Sequence, residues 1–112
     1  MKKKFNDRVE YYNSNGKRHR LNGPAIEYSN GDQLWFKNGL QHRIDGPAVK
    51  LEDMEVWYRE GKRHRENGPA YIVYLDGEEI EKMYYLDGSH FTDLSKYNEG
   101  LIKLKLNRLK NL

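Results

Sequence analysis

The chain has no cysteine among its 112 residues. That excludes disulfides, thiolate metal sites and cysteine nucleophiles together. Long apolar runs are missing too. The basic opening "MKKKFNDRVEYY" has no hydrophobic segment behind it, so it reads as neither a signal peptide nor a membrane anchor, and no later stretch approaches a spanning length. Charge of one sign is also scarce: 20 basic against 17 acidic residues leave +3, too little to announce a nucleic-acid binder by itself. There is no Gly-x-Ser-x-Gly, no phosphate-binding loop and no His-Glu-x-x-His, so catalysis has no foothold. These absences predict a non-enzymatic protein of the cytoplasm, without cofactor, metal or membrane insertion.

Apolar residues are also few, at 37%, against 33% charged. A thick globular core is out of reach, and the length suits one small domain. Aromatics run the other way: nine Tyr, three Phe and two Trp. Disordered chains lack such residues, because nothing else buries so much area per ordered side chain. A thin, aromatic-rich layered structure satisfies both facts.

Proline occurs three times, always in Gly-Pro-Ala, and this marks a repeat. "NGKRHRLNGPA" from Asn15 returns as "NGLQHRIDGPA" from Asn38 and "EGKRHRENGPA" from Glu60. His19, His42 and His64 stand 23 and 22 residues apart, and Gly23, Gly46 and Gly68 keep the same intervals. A period this short marks stacked supersecondary units. Three residues before each His sits Gly16, Gly39 or Gly61, and four before that glycine an aromatic: Tyr12, Trp35, Trp57. Tyr84 and Gly88 begin a fourth unit, which decays to "GSHF". The units run over 12–34, 35–56 and 57–83, with the partial one over 84–91.

Within a unit the apolar spacing is that of strands. Ile26 and Tyr28 alternate with Glu27, and Val49 and Leu51 with Lys50, as in half-buried strands. Tyr71, Ile72 and Val73 lose the alternation, which predicts a strand covered on both sides. A second strand carries "LWF", "VWY" or "MYY". Asn30-Gly31 and Asp76-Gly77 supply tight turns between them, a job left to "LEDME" in the second unit. The Gly-Pro step reads as a strand-entry corner, since proline cannot donate to a ladder and pushes the preceding residue towards extended geometry.

The predicted fold is therefore mainly all-β, an antiparallel meander of stacked β-hairpin repeats over residues 1–91. No single hairpin buries its aromatic face alone; several stacked together do. Residues 92–112 break the period. Thr92 or Asp93 suits a helix N-cap, and Leu94, Tyr97, Leu101, Leu104 and Leu112 fall on one helical face. Gly100 weakens a helix, and Ile102, Leu104 and Leu106 alternate as in a strand. A helix that caps the open end of the sheet is the favoured reading, since a bare edge invites another chain.

The segments 12–25, 35–48 and 57–70 resemble the MORN-like repeat of tailed phages, giant viruses and some bacteria. Its unit reads aromatic pair, Asn/Asp-Gly, two residues, His-Arg, one residue, Asp/Asn-Gly-Pro-Ala, and residues 84–91 match a decayed last unit. Arg20, Arg43 and Arg65 stand where plain MORN repeats have glycine. The resemblance implies a curled antiparallel sheet of hairpins used for assembly or partner binding, with no catalytic residues. A phage effector acting on a host protein, in the host cytoplasm, is the specific case it suggests.

The candidate binding residues are His19, Arg20, His42, Arg43, His64 and Arg65, with Trp35, Trp57 and Tyr84. Equivalent residues two strands apart lie about 10 Å from each other, too far for the histidines to ligate one metal. A ladder of guanidinium groups, reinforced by Arg18 and Arg63 and flanked by aromatics, would suit a nucleotide or nucleic-acid phosphate. Repetition favours a structural role instead: a residue needed in every unit is usually needed by the unit. A His before a tight corner bonds a backbone group, and an Arg clasps the carbonyls of a turn. The aromatic triplets are core first; a stripe left outside would mark a protein partner. Glu78, Glu79 and Glu81 read as a solvated hairpin tip that a partner could touch, and the lysine-rich tail as a weaker match to an anionic surface. A protein partner is the leading expectation, a nucleotide or nucleic acid the alternative, and an oligomer is compatible with both.

Overall fold

The computed structural model describes residues 1–111, and the chain is a thin slab, 46 × 41 × 17 Å. Among the described residues, thirteen strands and one helix follow in order. The main sheet is built from β1 (Lys2–Lys4), β2 (Arg8–Tyr11), β3 (Ile26–Tyr28), β4 (Gln33–Leu34), β7 (Val49–Lys50), β8 (Met54–Val56), β11 (Tyr71–Leu75), β12 (Glu78–Leu86) and β13 (Ser89–Phe91). They neighbour one another in that order, and every pairing is antiparallel. Two short hairpins stand outside it: β5 (Phe36–Lys37) with β6 (Leu40–Gln41), and β9 (Tyr58–Arg59) with β10 (Lys62–Arg63). The helix α1 spans Leu94–Lys110. This is the expected antiparallel meander with a helical cap.

Each unit thus has two storeys, and the aromatic residue is the step between them. Trp35 donates its amide to Ala48, just before β7 of the main sheet (2.7 Å), while its carbonyl accepts from His42, just after β6 of its own short hairpin (3.2 Å). Trp57 does the same with Ala70 and His64 (2.6 and 3.0 Å). In the first unit that residue is Tyr11, bonded to Ala25 and His19 (2.7 and 3.0 Å). Tyr12 is therefore not the counterpart of Trp35, and the first unit begins one residue earlier than its spacing suggested. Its glycine follows the aromatic by five residues and not four. The extra residue is absorbed in a wider turn, where the Asn13 side-chain oxygen accepts from the amides of Asn15 and Lys17 (2.9 and 3.0 Å).

The tighter turns use residue pairs in which both members have positive φ: Asn38-Gly39 (49° and 83°), Glu60-Gly61 (50° and 80°), Asp76-Gly77 (52° and 82°) and Asp87-Gly88 (47° and 84°). That is the type I′ requirement, whose twist matches the flanking strands. The second storey is laced across units by backbone bonds. Arg20, Arg43 and Arg65 donate their amides to Phe36, Tyr58 and Tyr85 (3.3, 3.1 and 3.2 Å).

The core is a thin line of small and branched side chains: Ala25, Ile26, Ala48, Val49, Val56, Ala70, Ile72 and Leu86. The alanine of each Gly-Pro-Ala is fully buried, so a larger side chain there would have to displace its neighbours. Tyr71 and Val73 are half-buried on the face opposite Ile72, the two-sided cover expected of that strand. Asp93 caps α1 by accepting from the Ser95 amide (2.8 Å). Tyr97 is the buried residue of the helix, while Leu94 is exposed and takes no part in the packed face; Leu112 lies outside the described residues. Gly100 is a contact rather than a weakness: a Cβ there would sit 2.9 Å from Leu86 Cδ1 and 3.2 Å from Phe91 Cζ.

Candidate functional site

Each His-Arg-x-Asn/Asp-Gly-Pro-Ala segment folds as a loop closed by its own arginine. The Arg20, Arg43 and Arg65 guanidinium groups lie over the rings of Tyr11, Trp35 and Trp57, 4.0, 4.0 and 3.9 Å from the centroids. Their Nη1 atoms donate to the carbonyls of Pro24, Pro47 and Pro69 (3.2, 3.2 and 3.1 Å). The Nε of Arg43 donates to Asp45 and that of Arg65 to Asn67, both at 3.1 Å, while Arg20 pairs with Glu27. The glycine before proline makes room for this. A Cβ at Gly46 would stand 2.6 Å from Arg43 Cζ, and one at Gly23 2.9 Å from Arg20 Cζ. The side chain is held between a ring below and a bare backbone above.

The histidines join one unit to the next. Nδ1 of His19, His42 and His64 accepts from the amides of Asn38, Glu60 and Asp87, each at 2.9 Å. Those amides belong to the left-handed first residue of the following turn. An accepting Nδ1 requires a neutral ring with its proton on Nε2. In the third unit Nε2 faces a Glu66 carboxylate oxygen at 2.7 Å, which suits that tautomer. Burial pushes the His42 pKa below its ordinary 6.5, and the Glu60 carboxylate only partly opposes it. Among the described residues no group of three or more His, Asp or Glu is placed to hold a metal ion.

The supporting arginines belong elsewhere. Arg18 reaches the buried carboxylate of Glu10 (3.2 Å), which also accepts from Arg8 (2.6 Å) and from the Tyr12 hydroxyl. Burial alone would raise the Glu10 pKa, but these donors outweigh it and hold it low. Arg63 donates to the Tyr85 hydroxyl (3.0 Å). Glu66 ties the helix to the array, taking Arg108 in a two-pronged pair as well as His64. The Arg108 hydrogen bonds come first in lowering its pKa, to about 2. Tyr84 has no arginine of its own unit; Tyr97 from α1 covers it instead, centroids 4.9 Å apart. The Tyr97 hydroxyl then donates to the Arg65 and Gly68 carbonyls.

Between the first and second loops lies a groove of about 560 Å³. His19, Arg20, Trp35, Phe36, Lys37, His42 and Arg43 line it, with Leu21 and Ile44 at the loop tips. These two aliphatic side chains are 82% and 69% exposed, on turns whose other residues are polar. The corresponding tip of the third unit carries Glu66. A second groove, of about 670 Å³, lies between the second and third loops, where Lys105 and Arg108 of α1 join its lining. Leu21 and Ile44 escaped the sequence reading because they occupy the variable place in the motif. The available signal was an aliphatic residue, in two of three units, on a turn that has no use for one. The turn itself is Asp76-Gly77; Glu78, Glu79 and Glu81, expected at a hairpin tip, lie instead in β12 paired with β11, exposed together with Ile80.

No helix among the described residues is long and apolar enough to cross a membrane. Comparison with family models, with curated proteins and with solved structures finds nothing that matches the chain.

Proposed function

We propose that this is a non-enzymatic binding module of the MORN-like kind, which engages a protein through the groove between its first two loops. The observation that carries the reading is the pair of exposed aliphatic residues, Leu21 and Ile44, flanking a groove lined by Trp35 and Phe36. Side chains as exposed as these bury little area within the fold, whereas at the rim of an aromatic-lined groove they supply the apolar centre that protein interfaces share. A phage effector acting on a host protein is the specific case the resemblance favours. The alternative, a phosphate-reading surface along the arginines, has less support. Each guanidinium is already stacked on a ring and spends donors on its own loop, which leaves little for a ligand.

The test compares the natural chain with Leu21→Glu/Ile44→Glu in affinity capture from nuclease-treated lysate, with both proteins shown to unfold at the same urea concentration. The expected result is a protein retained by the natural chain and lost from the variant. Identical retention by both, or retention that nuclease abolishes, would overturn the reading.

A further inference from the structure

Three times within the chain, the last main-sheet strand of one unit receives the first strand of the next. β2 takes β3, β4 takes β7, and β8 takes β11. β12 is the fourth strand of this kind, leading into Tyr84 as β8 leads into Trp57. It has β11 along one side, whereas on the other side β13 begins to pair only at Tyr84. α1 packs on β12 and β13, lies over Tyr84 and reaches back to Glu66. Residues 78–82 stay exposed, so the helix leaves this stretch of the sheet edge bare.

The opposite edge is its complement. β1 pairs with β2 as β7 does with β8 and β11 with β12, so it is a first strand with no predecessor among the described residues. Neighbours alternate in direction along the eight strands from β1 to β12, which sets the two edges antiparallel. A second copy carried along the sheet in the same sense therefore offers its β1 to β12 as each internal junction does. We infer that β1 of one copy adds to the 78–82 edge of another, so that the sheet runs on from molecule to molecule. Neither edge lines the groove between the first two loops, so this assembly and the binding reading stand or fall separately.

Charge matches the two edges and blocks the wrong pairings. One carries Lys2, Lys3 and Lys4, the other Glu78, Glu79 and Glu81 with a single Lys82. None of those three lysines and three glutamates is in a salt bridge among the described residues. Two β1 edges would set lysine on lysine, and two β12 edges glutamate on glutamate. Lysines on an edge discourage most strand additions; a glutamate edge is the one they admit. The backbone is ready for it. Met1 and Phe5 carry bonds from β1 to β2 at either end, so by alternation Lys2 and Lys4 turn their amides outward. Phe5 and Ile80, 44% and 59% exposed, give each edge an apolar side chain for the junction to cover. Because the joined edges are unlike, association continues past a dimer into a ring or an open row.

The test is sedimentation velocity of the full chain. From about 10 μM to about 1 mM the average mass should rise past that of a dimer. Association should weaken at least about tenfold between about 0.01 M and about 1 M salt, as the Debye length falls from about 30 Å to about 3 Å. Glu78→Lys/Glu79→Lys/Glu81→Lys and Lys2→Glu/Lys3→Glu/Lys4→Glu should each stay monomeric. An equimolar mixture of the two should associate again, since each acidic edge then finds a lysine edge on the other chain. Lys4→Pro, which removes an outward amide, should weaken association at least about tenfold more than Lys4→Gln. A natural chain still monomeric at about 1 mM in low salt, a mass that levels at a dimer, or a mixture that stays monomeric overturns the inference. Equal effects of proline and glutamine at residue 4 overturn strand pairing as its basis.

Discussion

Replacing Gly46 by alanine should cost as much stability as deleting the Arg43 side chain, and the two losses should not add. Arg43 donates to the Pro47 carbonyl, lies 4.0 Å from the Trp35 centroid and bonds exposed Asp45. A charged hydrogen bond contributes about 1.5–3 kcal/mol, the stacked cation about 0.5–2 kcal/mol, and the exposed pair about 0–1 kcal/mol. Ordering the arginine costs up to about 2 kcal/mol. Arg43→Ala should therefore lose about 2 kcal/mol net. A methyl on residue 46 would meet Arg43 Cζ at 2.6 Å, so Gly46→Ala expels the same guanidinium and loses about the same. With Arg43 already gone, the methyl has room, and it narrows the unfolded ensemble by about 0.4–1 kcal/mol. The double variant should then be no less stable than Arg43→Ala, a coupling of about 2 kcal/mol. Urea unfolding followed by tryptophan fluorescence measures all corners of the cycle. Costs that sum, or a neutral Gly46→Ala, would refute the reasoning.

Gly100→Ala sets propensity against packing: alanine favours a helix by about 1 kcal/mol, yet its methyl would meet Leu86 and Phe91, so the unfolding midpoint should fall, and a rise would show that the helix sits further off. Because the folded His42 pKa lies below its ordinary 6.5, its contribution is complete above that value and is lost as pH falls through the folded one; urea midpoints should drop between pH 7.5 and 5, and a flat profile would contradict the neutral joint. Glu66 titrates at about 2 against an ordinary 4.5, so its contribution is full above 4.5 and lost as pH falls through about 2; Glu66→Gln should lower hydrogen-exchange protection in 94–110 at neutral pH while sparing β3, β4 and β7. Tyr97→Phe removes the donor to the Arg65 and Gly68 carbonyls and should cost about 1–2 kcal/mol in urea unfolding.

The repeat made the architecture readable, because period, turn glycines and alternating strands all pointed to stacked hairpins. The loop-closing role of Arg43 and its counterparts was legible for the same reason. Less so was the role of Gly46: proline explains why the chain turns there, but only the folded side chain explains why its predecessor has no Cβ. The adjacent Tyr11 and Tyr12 concealed a one-residue insertion, since either ring satisfies an aromatic pattern and only the bonds to Ala25 and His19 separate them. Gly100 read as a helix breaker because propensity is local, whereas its need is set by Leu86 and Phe91 on the sheet. Leu21 and Ile44 stood in the variable position of the motif, and a fold-directed reading passes over a residue the fold does not use.

The most direct test of the joint between units is through-hydrogen-bond nitrogen–nitrogen coupling in the doubly labelled protein at neutral pH. Three couplings are predicted, from the amides of Asn38, Glu60 and Asp87 to Nδ1 of His19, His42 and His64, with each ring protonated on Nε2. Rings protonated on Nδ1, or amides coupled to no histidine, would mean that the repeated residues do not lock the hairpins together.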